Sequence, residues 1–151
     1  MDLTIRLFDL VAGNLCATFD AAREHLLSRN NNEIAGHRAE LGGLGERLAA
    51  RHLQRRGYRI VTRNFHAPGG EIDLIALDRG TLVFVEVKTR TDDRFGMPTE
   101  AVDEEKRERI KRAAAAFPRS RRVPIRFDVV ALIGAAGALR LEHLRDAFQA
   151  Q

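Results

Sequence analysis

The segment from Gly70 to Arg90 constrains the fold most, because it consists of two apolar runs separated by a turn. Ile72–Leu77 and Thr81–Val87 are rich in Ile, Leu, Val and Phe, and the residues 78–80 between them favour a turn. This pattern predicts a β-hairpin. If Arg79 and Gly80 form a two-residue loop, the numbers of paired residues sum to 159.

Three charged residues interrupt this hairpin: Asp73, Glu86 and Lys88. The register places Asp73 opposite Glu86 and Glu71 opposite Lys88. Two carboxylates about 5 Å apart repel by roughly 3 kcal/mol at an effective dielectric of 20. A divalent metal with Lys88 beside it would compensate this repulsion. The alternative is a structural ion-pair cluster, which would leave one carboxylate in excess, and Glu71 is either a salt-bridge partner of Lys88 or a ligand.

Length and cysteine content restrict the class of protein. With 151 residues the chain is long enough for one domain with a substantial core. Its single cysteine, Cys16, excludes an internal disulfide and a cysteine-based zinc site, and it suits a reducing cytoplasm. No apolar run approaches the roughly 20 residues that span a membrane, so a cytoplasmic protein without a membrane partner is expected.

Charge points to a polyanionic partner. The net charge is +4 and the sequence pI is about 10.0. Residues 106–126 contain nine Lys or Arg against one acidic residue, Glu108. Nucleic acid is the commonest polyanion that such a tract binds. The alternative interpretation is a solvated, arginine-rich helix face.

The order of elements predicts an α/β fold with a mixed central β-sheet flanked by helices. Residues 1–35 form a predicted N-terminal extension, helical or mobile, that ends near a linker at Asn30–Asn32, and residues 36–151 form the domain. The predicted elements are a helix over 43–56, a strand over 58–65, a loop over 66–70, the hairpin, a helix capped by Thr99 and ending near Phe117, strands over 125–133 and 139–141, and a terminal helical turn over 143–148.

The hairpin residues also resemble a known signature. Ile72-Asp73 on one strand and Glu86-Val87-Lys88 on the next are similar to the motif of the PD-(D/E)xK nuclease superfamily, in its Holliday-junction-resolvase-like branch. The chain more closely resembles the YraN family over about residues 36–150. The segments that carry this resemblance are Gly45-Glu46, Gly57-Tyr58, Arg63-Asn64, Gly70–Ile75, Phe84–Arg90, Phe95-Gly96, Lys106, Arg126-Phe127-Asp128 and Ala147-Phe148.

The resemblance implies a restriction-endonuclease-like core and a metal-dependent site. Ile72 stands where the superfamily pattern has Pro, and residues 1–35 lie outside the family pattern. Mg²⁺ or Mn²⁺ would be held by Asp73, Glu86 and the main-chain carbonyl of Val87. Glu46 would act from its helix as an outer or water-mediated ligand; the alternative is a solvated helix residue.

Catalysis and nucleic-acid binding are then assigned to separate groups. Lys88 would orient the attacking water or stabilise charge on the phosphate, so the predicted catalytic residues are Glu46, Asp73, Glu86 and Lys88. The residues predicted to contact nucleic acid are Arg90, Lys106, Lys111, Arg119, Arg121 and Arg122. A structural role is favoured for Asp128, and a surface position without catalytic function is favoured for His66.

Two main functions follow from this sequence. The first is a Mg²⁺- or Mn²⁺-dependent endodeoxyribonuclease, with DNA favoured over RNA and with branched or recombination DNA as a candidate substrate. The second is a nucleic-acid-binding module that keeps the nuclease-like fold and does not cut. A scaffold protein with an acidic protein partner is a third hypothesis. A homodimer would suit a junction cutter, which needs two symmetric sites.

Overall fold

The computed structural model describes residues 31–90, 102–135 and 138–150. Its elements are α1 (Asn31–Arg55), β1 (Arg59–Ala67), β2 (Gly70–Asp78), β3 (Thr81–Arg90), α2 (Glu104–Ala116), β4 (Ile125–Ala135) and β5 (Ala138–Phe148). The predicted α-β-β-β-α-β-β order is confirmed. The strands form one sheet in the order β1-β2-β3-β4-β5, in which β3 and β4 are parallel and the other pairs are antiparallel.

In the described part of the chain, one helix covers each face of this mixed sheet. The helix α2 is the crossover that parallel β3 and β4 require. The α1 face buries Leu48, Leu53 and Tyr58 against alternate residues of the strands. The α2 face buries Ile110 and the aromatic pair Phe84 and Phe127, whose ring centroids lie 5.5 Å apart. The sheet is therefore a central layer with apolar packing on both sides, compatible with a restriction-endonuclease-like core.

The β2–β3 hairpin has the predicted register. Leu74 pairs with Val85 and Asp78 pairs with Thr81, so the residue numbers of these pairs sum to 159. Arg79 and Gly80 both have positive φ, at 48° and 88°, as the two-residue turn of this type requires. The hydrogen-bonded pairing ends at Leu74 and Val85, so β2 and β3 separate just before the predicted site.

Both helices differ from their predicted bounds. α1 begins at Asn31 rather than at residue 43, and it includes two of the three asparagines that were predicted to form a linker. The predicted division between residues 35 and 36 lies inside α1 and stays a prediction. α2 is capped by Asp103, whose Oδ1 accepts a hydrogen bond from the Lys106 N–H at 2.8 Å. The predicted cap, Thr99, lies outside the described residues.

The terminal helical turn predicted over 143–148 is wrong, because these residues continue β5. Leu141, Leu144 and Phe148 have a spacing that also fits a helix. In the structure, residues 145–147 lie opposite the single residue Asp128 in a bulge, with Asp146 at φ 54°. The two extra residues of the bulge keep the alternation in phase, so Phe148 stacks on Phe127 while Leu141 packs on the α1 face.

The predicted loop over 66–70 is a two-residue turn, since Ala67 and Gly70 already pair. A Cβ atom at Gly70 would collide with the main-chain carbonyl of Arg109, so only glycine allows α2 to pack this closely. Within the three described ranges, no helix is both long and apolar enough to cross a membrane.

Candidate functional site

The candidate site lies where β2 and β3 separate. In a continued ladder the Val87 N–H would meet the backbone of β2, but it donates instead to Oδ2 of Asp73 at 2.7 Å. Paired residues of antiparallel strands exchange both of their hydrogen bonds, so the N–H and C=O of one residue face the same neighbour. The Val87 carbonyl therefore faces the same gap, beside the Asp73 carboxylate.

Glu86 is the buried carboxylate of this gap, with 3% of the residue exposed. Its Oε1 lies 3.1 Å from Nζ of Lys88 and 3.3 Å from Nζ of Lys106. Its Oε2 is buried and has no hydrogen-bond partner within the described part of the chain. An unsatisfied buried acceptor costs about 1–3 kcal/mol, and a carboxylate more. Two ammonium groups thus share one oxygen, while the other oxygen remains available to a ligand.

Asp73 is the second carboxylate, and its pKa is raised from 3.8 to about 7. Burial is the largest cause, followed by the nearby negative charge of Glu86. Glu46 also raises the pKa, whereas the Val87 N–H and the Lys106 ammonium lower it. Because Glu46 contributes to this shift from helix α1, the structure brings it to the same site as the two hairpin carboxylates.

Gly45 allows α1 to deliver Glu46 to the sheet. A Cβ atom at Gly45 would collide with Oγ1 of Thr89 on β3, so with Thr89 in place a larger residue would force the helix or this side chain to shift. Lys106 comes from the opposite face, in the first turn of α2. The site therefore draws on both helical layers as well as on the hairpin between them.

Glu71 lies at the rim of the site. Its carboxylate is 3.9 Å from Nζ of Lys106 and 3.6 Å from Nδ1 of His66. The predicted partner of Glu71, Lys88, forms its ion pair with Glu86 instead. The His66 side chain is 72% exposed, in agreement with the surface position that the sequence favoured.

The donor set fits a hard divalent cation. Asp73, Oε2 of Glu86 and the Val87 carbonyl are oxygen ligands of the kind that Mg²⁺ and Mn²⁺ prefer. Mg²⁺ usually takes only one or two carboxylates and keeps several waters or phosphate oxygens. Among the described residues, no group of three or more His, Cys, Asp or Glu side chains is placed to hold a metal ion. Glu46 would then act through water, as the resemblance implied.

Comparison with known proteins gives the family of this chain. The model of an uncharacterised protein family, UPF0102, matches residues 45–132, a range that contains all four predicted catalytic residues. The chain belongs to family UPF0102. UPF0102 is the YraN family, so that resemblance is confirmed.

UPF0102 relatives share much of the sequence. A UPF0102 protein of Syntrophomonas wolfei is 46% identical over 112 residues, which cover 72% of this chain and 97% of the relative. One from Geobacter sulfurreducens is 46% identical over 121 residues, covering 78% and 94%. A third, from Beutenbergia cavernae, is 48% identical over 109 residues, covering 70% and 92%. None of these names states an activity.

Several predicted nucleic-acid contacts of this UPF0102 chain lie away from the site. Arg119, Arg121 and Arg122 follow α2 and lead into β4, where the Leu82 N–H donates to the Pro124 carbonyl at 2.9 Å. Leu82 begins the buried part of β3 and lies about 20 Å from Lys88, at 3.3 Å per strand residue. These three arginines are therefore at the opposite end of the sheet.

The remaining predicted contacts divide in the same way. Lys106 belongs to the site, and Arg90, half-buried, ends β3 near it. Lys111 pairs with Glu108 at 2.8 Å on the surface of α2. Sequence reasoning did not select Arg109 and Arg112, although both lie in the same basic tract. Their proximity to the β1–β2 turn depends on how α2 packs, which the sequence pattern does not reveal.

A second polar cluster of this UPF0102 protein surrounds Asp128, which pairs with Val85 directly beside Glu86. Its partner His143 packs on His52 of α1, whereas Glu86 meets Lys106 of α2, so the two clusters lie on opposite faces of the sheet. Asp128 is completely buried and accepts hydrogen bonds from Arg126 Nε at 2.7 Å and from the Asp146 N–H at 3.0 Å. His143 Nε2 lies 2.9 Å from its other oxygen. Burial raises the pKa of Asp128, but the hydrogen bonds with His143 and Arg126 lower it by more. The pKa of Asp128 is therefore below its usual value. This network joins β4 to the β5 bulge, as a structural role requires.

Proposed function

We propose that this protein is a metal-dependent phosphodiesterase that cuts nucleic acid, with DNA favoured over RNA and Mg²⁺ or Mn²⁺ as the cofactor. One observation carries the proposal. Asp73 and Glu86 converge in a gap between two apolar strands, and Oε2 of Glu86 is buried there with no hydrogen-bond partner among the described residues. A purely structural ion-pair cluster would satisfy both carboxylate oxygens, because both lysines are within reach.

The residues of the site have distinct roles in this proposal. A bound divalent metal would supply charge stabilisation at the phosphate and a more acidic water. Asp73, Glu86 and the Val87 carbonyl would hold the metal, and Glu46 would orient a water. Lys88, freed from sharing Oε1 of Glu86, donates to the attacking water or to the phosphate oxygen on which charge develops. Lys106 binds a neighbouring phosphate.

A non-cutting nucleic-acid-binding module is the second candidate. The observation that favours it is that each lysine already lies within 3.3 Å of Glu86, so the gap is partly charge-balanced without metal. This module would use the same basic surface and would need no Mn²⁺. A cytoplasmic location and a homodimer remain compatible with either function.

The first experiment is calorimetric titration of Mn²⁺ into the full chain. Saturable binding is expected for the wild type and for Glu105→Gln, a control that removes an exposed carboxylate of α2. Asp73→Asn keeps an acceptor for the Val87 N–H but loses the charge, and it is expected to abolish the binding. Equal binding by Asp73→Asn and the wild type would remove the metal site from the proposal.

The second experiment measures Mn²⁺-dependent cleavage of linear duplex, four-way junction and RNA hairpin substrates. Lys88→Ala is expected to keep Mn²⁺ binding and lose cleavage, whereas Glu86→Gln is expected to lose both. Wild-type protein that binds Mn²⁺ and nucleic acid but cuts none of these substrates would favour the non-cutting module.

A further inference from the structure

The charges of α2 divide into paired and available groups. Within the helix, Arg107 lies 3.6 Å from Glu104 and Lys111 lies 2.8 Å from Glu108. Arg109 and Arg112 are exposed, and neither forms an ion pair with the described residues. Among the described contacts, the two arginines are therefore the cations of α2 that an external anion can reach without breaking an ion pair.

These arginines continue a line that begins in the candidate site. Residues three apart lie on neighbouring positions of one helix face, about 4.5 Å apart along the axis. Lys106 lies against Glu86 and Glu71. One turn later, the backbone of Arg109 packs on Gly70, and the next turn places the Arg112 side chain across Gly69. We call Lys106, Arg109 and Arg112 the α2 cationic row.

The β1–β2 turn leaves the α2 cationic row accessible, because glycines stand beside it. Gly69 has φ +94° and Gly70 packs directly under the helix backbone, so neither position projects a side chain between the row and solvent. A linear ligand can thus lie along α2 from Lys106 to Arg112, a distance of about 9 Å. Phosphates of one duplex strand follow each other at about 3.4 Å along the duplex axis, so roughly two or three phosphates would span the row.

We propose that the sugar-phosphate backbone of the bound nucleic acid leaves the site along the α2 cationic row, over the β1–β2 turn. This inference rests on the proposed function and adds the direction in which the nucleic acid leaves the site. It also assigns the arginines over 119–122, at the other end of the sheet, no direct part in binding. Guanidinium groups suit the role because they contact phosphates in a two-pronged geometry.

The test compares two double variants that lose the same charge: Arg109→Gln with Arg112→Gln, and Arg121→Gln with Arg122→Gln. Binding of a fluorescent duplex and a fluorescent four-way junction is measured by anisotropy in EDTA, at several salt concentrations. The first variant is expected to bind about tenfold more weakly and to lower the salt slope by about two, because each phosphate contact contributes nearly one. The second variant is expected to bind like the wild type.

A third variant, Arg109→Lys with Arg112→Lys, controls for folding, since it keeps the charges and is expected to keep most of the affinity. Equal losses in both glutamine variants, or a greater loss in the variant of Arg121 and Arg122, would overturn the path along α2. So would a variant that still binds DNA normally but no longer binds polyglutamate, because the row would then recognise an acidic protein.

The EDTA measurement separates this inference from the proposed function. If the row variants lose DNA binding but the wild type never binds Mn²⁺ or cuts, the path holds and the phosphodiesterase proposal fails. If the wild type cuts and the row variants bind normally, only the path fails. A wild type that binds no nucleic acid would overturn both.

Discussion

Asp73→Asn offers the sharpest test of the site, because it changes charge and very little shape. The Asn side chain can still accept the hydrogen bond that the Val87 N–H gives to Asp73 Oδ2 at 2.7 Å. What it removes is the ionisation of a carboxyl group that lies beside the buried Glu86. The pH dependence of folding stability, measured without metal, then isolates the electrostatic cost of the site.

The sign follows from the pKa of Asp73, which is about 7 in the folded protein against 3.8 in the unfolded chain. Between these two pH values the folded protein binds more protons than the unfolded chain. The Asp73 carboxyl therefore lowers the free energy of unfolding as pH rises from about 4 to 7. Asn cannot ionise, so it contributes no such decrease in the free energy of unfolding. The stability of the variant relative to the wild type is therefore expected to increase by up to about 3 kcal/mol between pH 5 and pH 8, since one pKa unit equals about 1.4 kcal/mol.

The assay is urea unfolding of both proteins in EDTA at pH 5, 6, 7 and 8, followed by circular dichroism. Glu105→Gln is the matched control, because it removes an exposed carboxylate and is expected to give a nearly constant difference from the wild type. A constant difference for Asp73→Asn as well would refute the buried, repelled carboxylate pair. Saturating Mn²⁺ at pH 8 is expected to stabilise the wild type and leave Asp73→Asn unchanged.

Two further predictions concern the packing and the independence of the two polar clusters. Gly45→Ala is expected to lose about 1–3 kcal/mol of stability and to weaken Mn²⁺ binding, because the new methyl group meets Thr89 Oγ1. Adding Thr89→Ala removes that atom, so urea unfolding and calorimetry should show recovery; a double variant as weak as the single one would contradict this. Asp128→Asn breaks a buried network and is expected to cost roughly 3–5 kcal/mol of stability, while Mn²⁺ affinity measured by calorimetry stays the same. Loss of that affinity in the folded variant would show that the clusters are coupled.

The hairpin and its carboxylates could be predicted because a two-residue turn and strand alternation act over short distances. Arg79 and Gly80 determine the register, and the register places Asp73 next to Glu86. The separation of the strands could not be predicted this way. It depends on the Asp73 carboxylate replacing a backbone acceptor for the Val87 N–H, and a regular ladder pattern has no signal for this exchange.

The errors elsewhere came from competition between local pattern and tertiary packing. Apolar residues at Leu141, Leu144 and Phe148 fit a helix as well as a bulged strand, and the Asp128 hydrogen bond to the Asp146 N–H decides for the strand. The packing direction of α2 could not be predicted from the sequence pattern either. Its packing on Gly69 and Gly70 separates Arg109 and Arg112 from the later arginines, which the sequence presents as one continuous basic tract.

The origin of the site in both helical layers has a consequence for the folding of this chain. The β2–β3 hairpin closes a short loop and can form early, but Glu46 precedes it and Lys106 follows it on opposite faces of the sheet. Contacts between residues so distant in sequence form late, because a larger loop must close first. A nascent or partly unfolded chain therefore holds the hairpin carboxylates without their helical partners. In this protein the candidate site is therefore completed only in the last steps of folding.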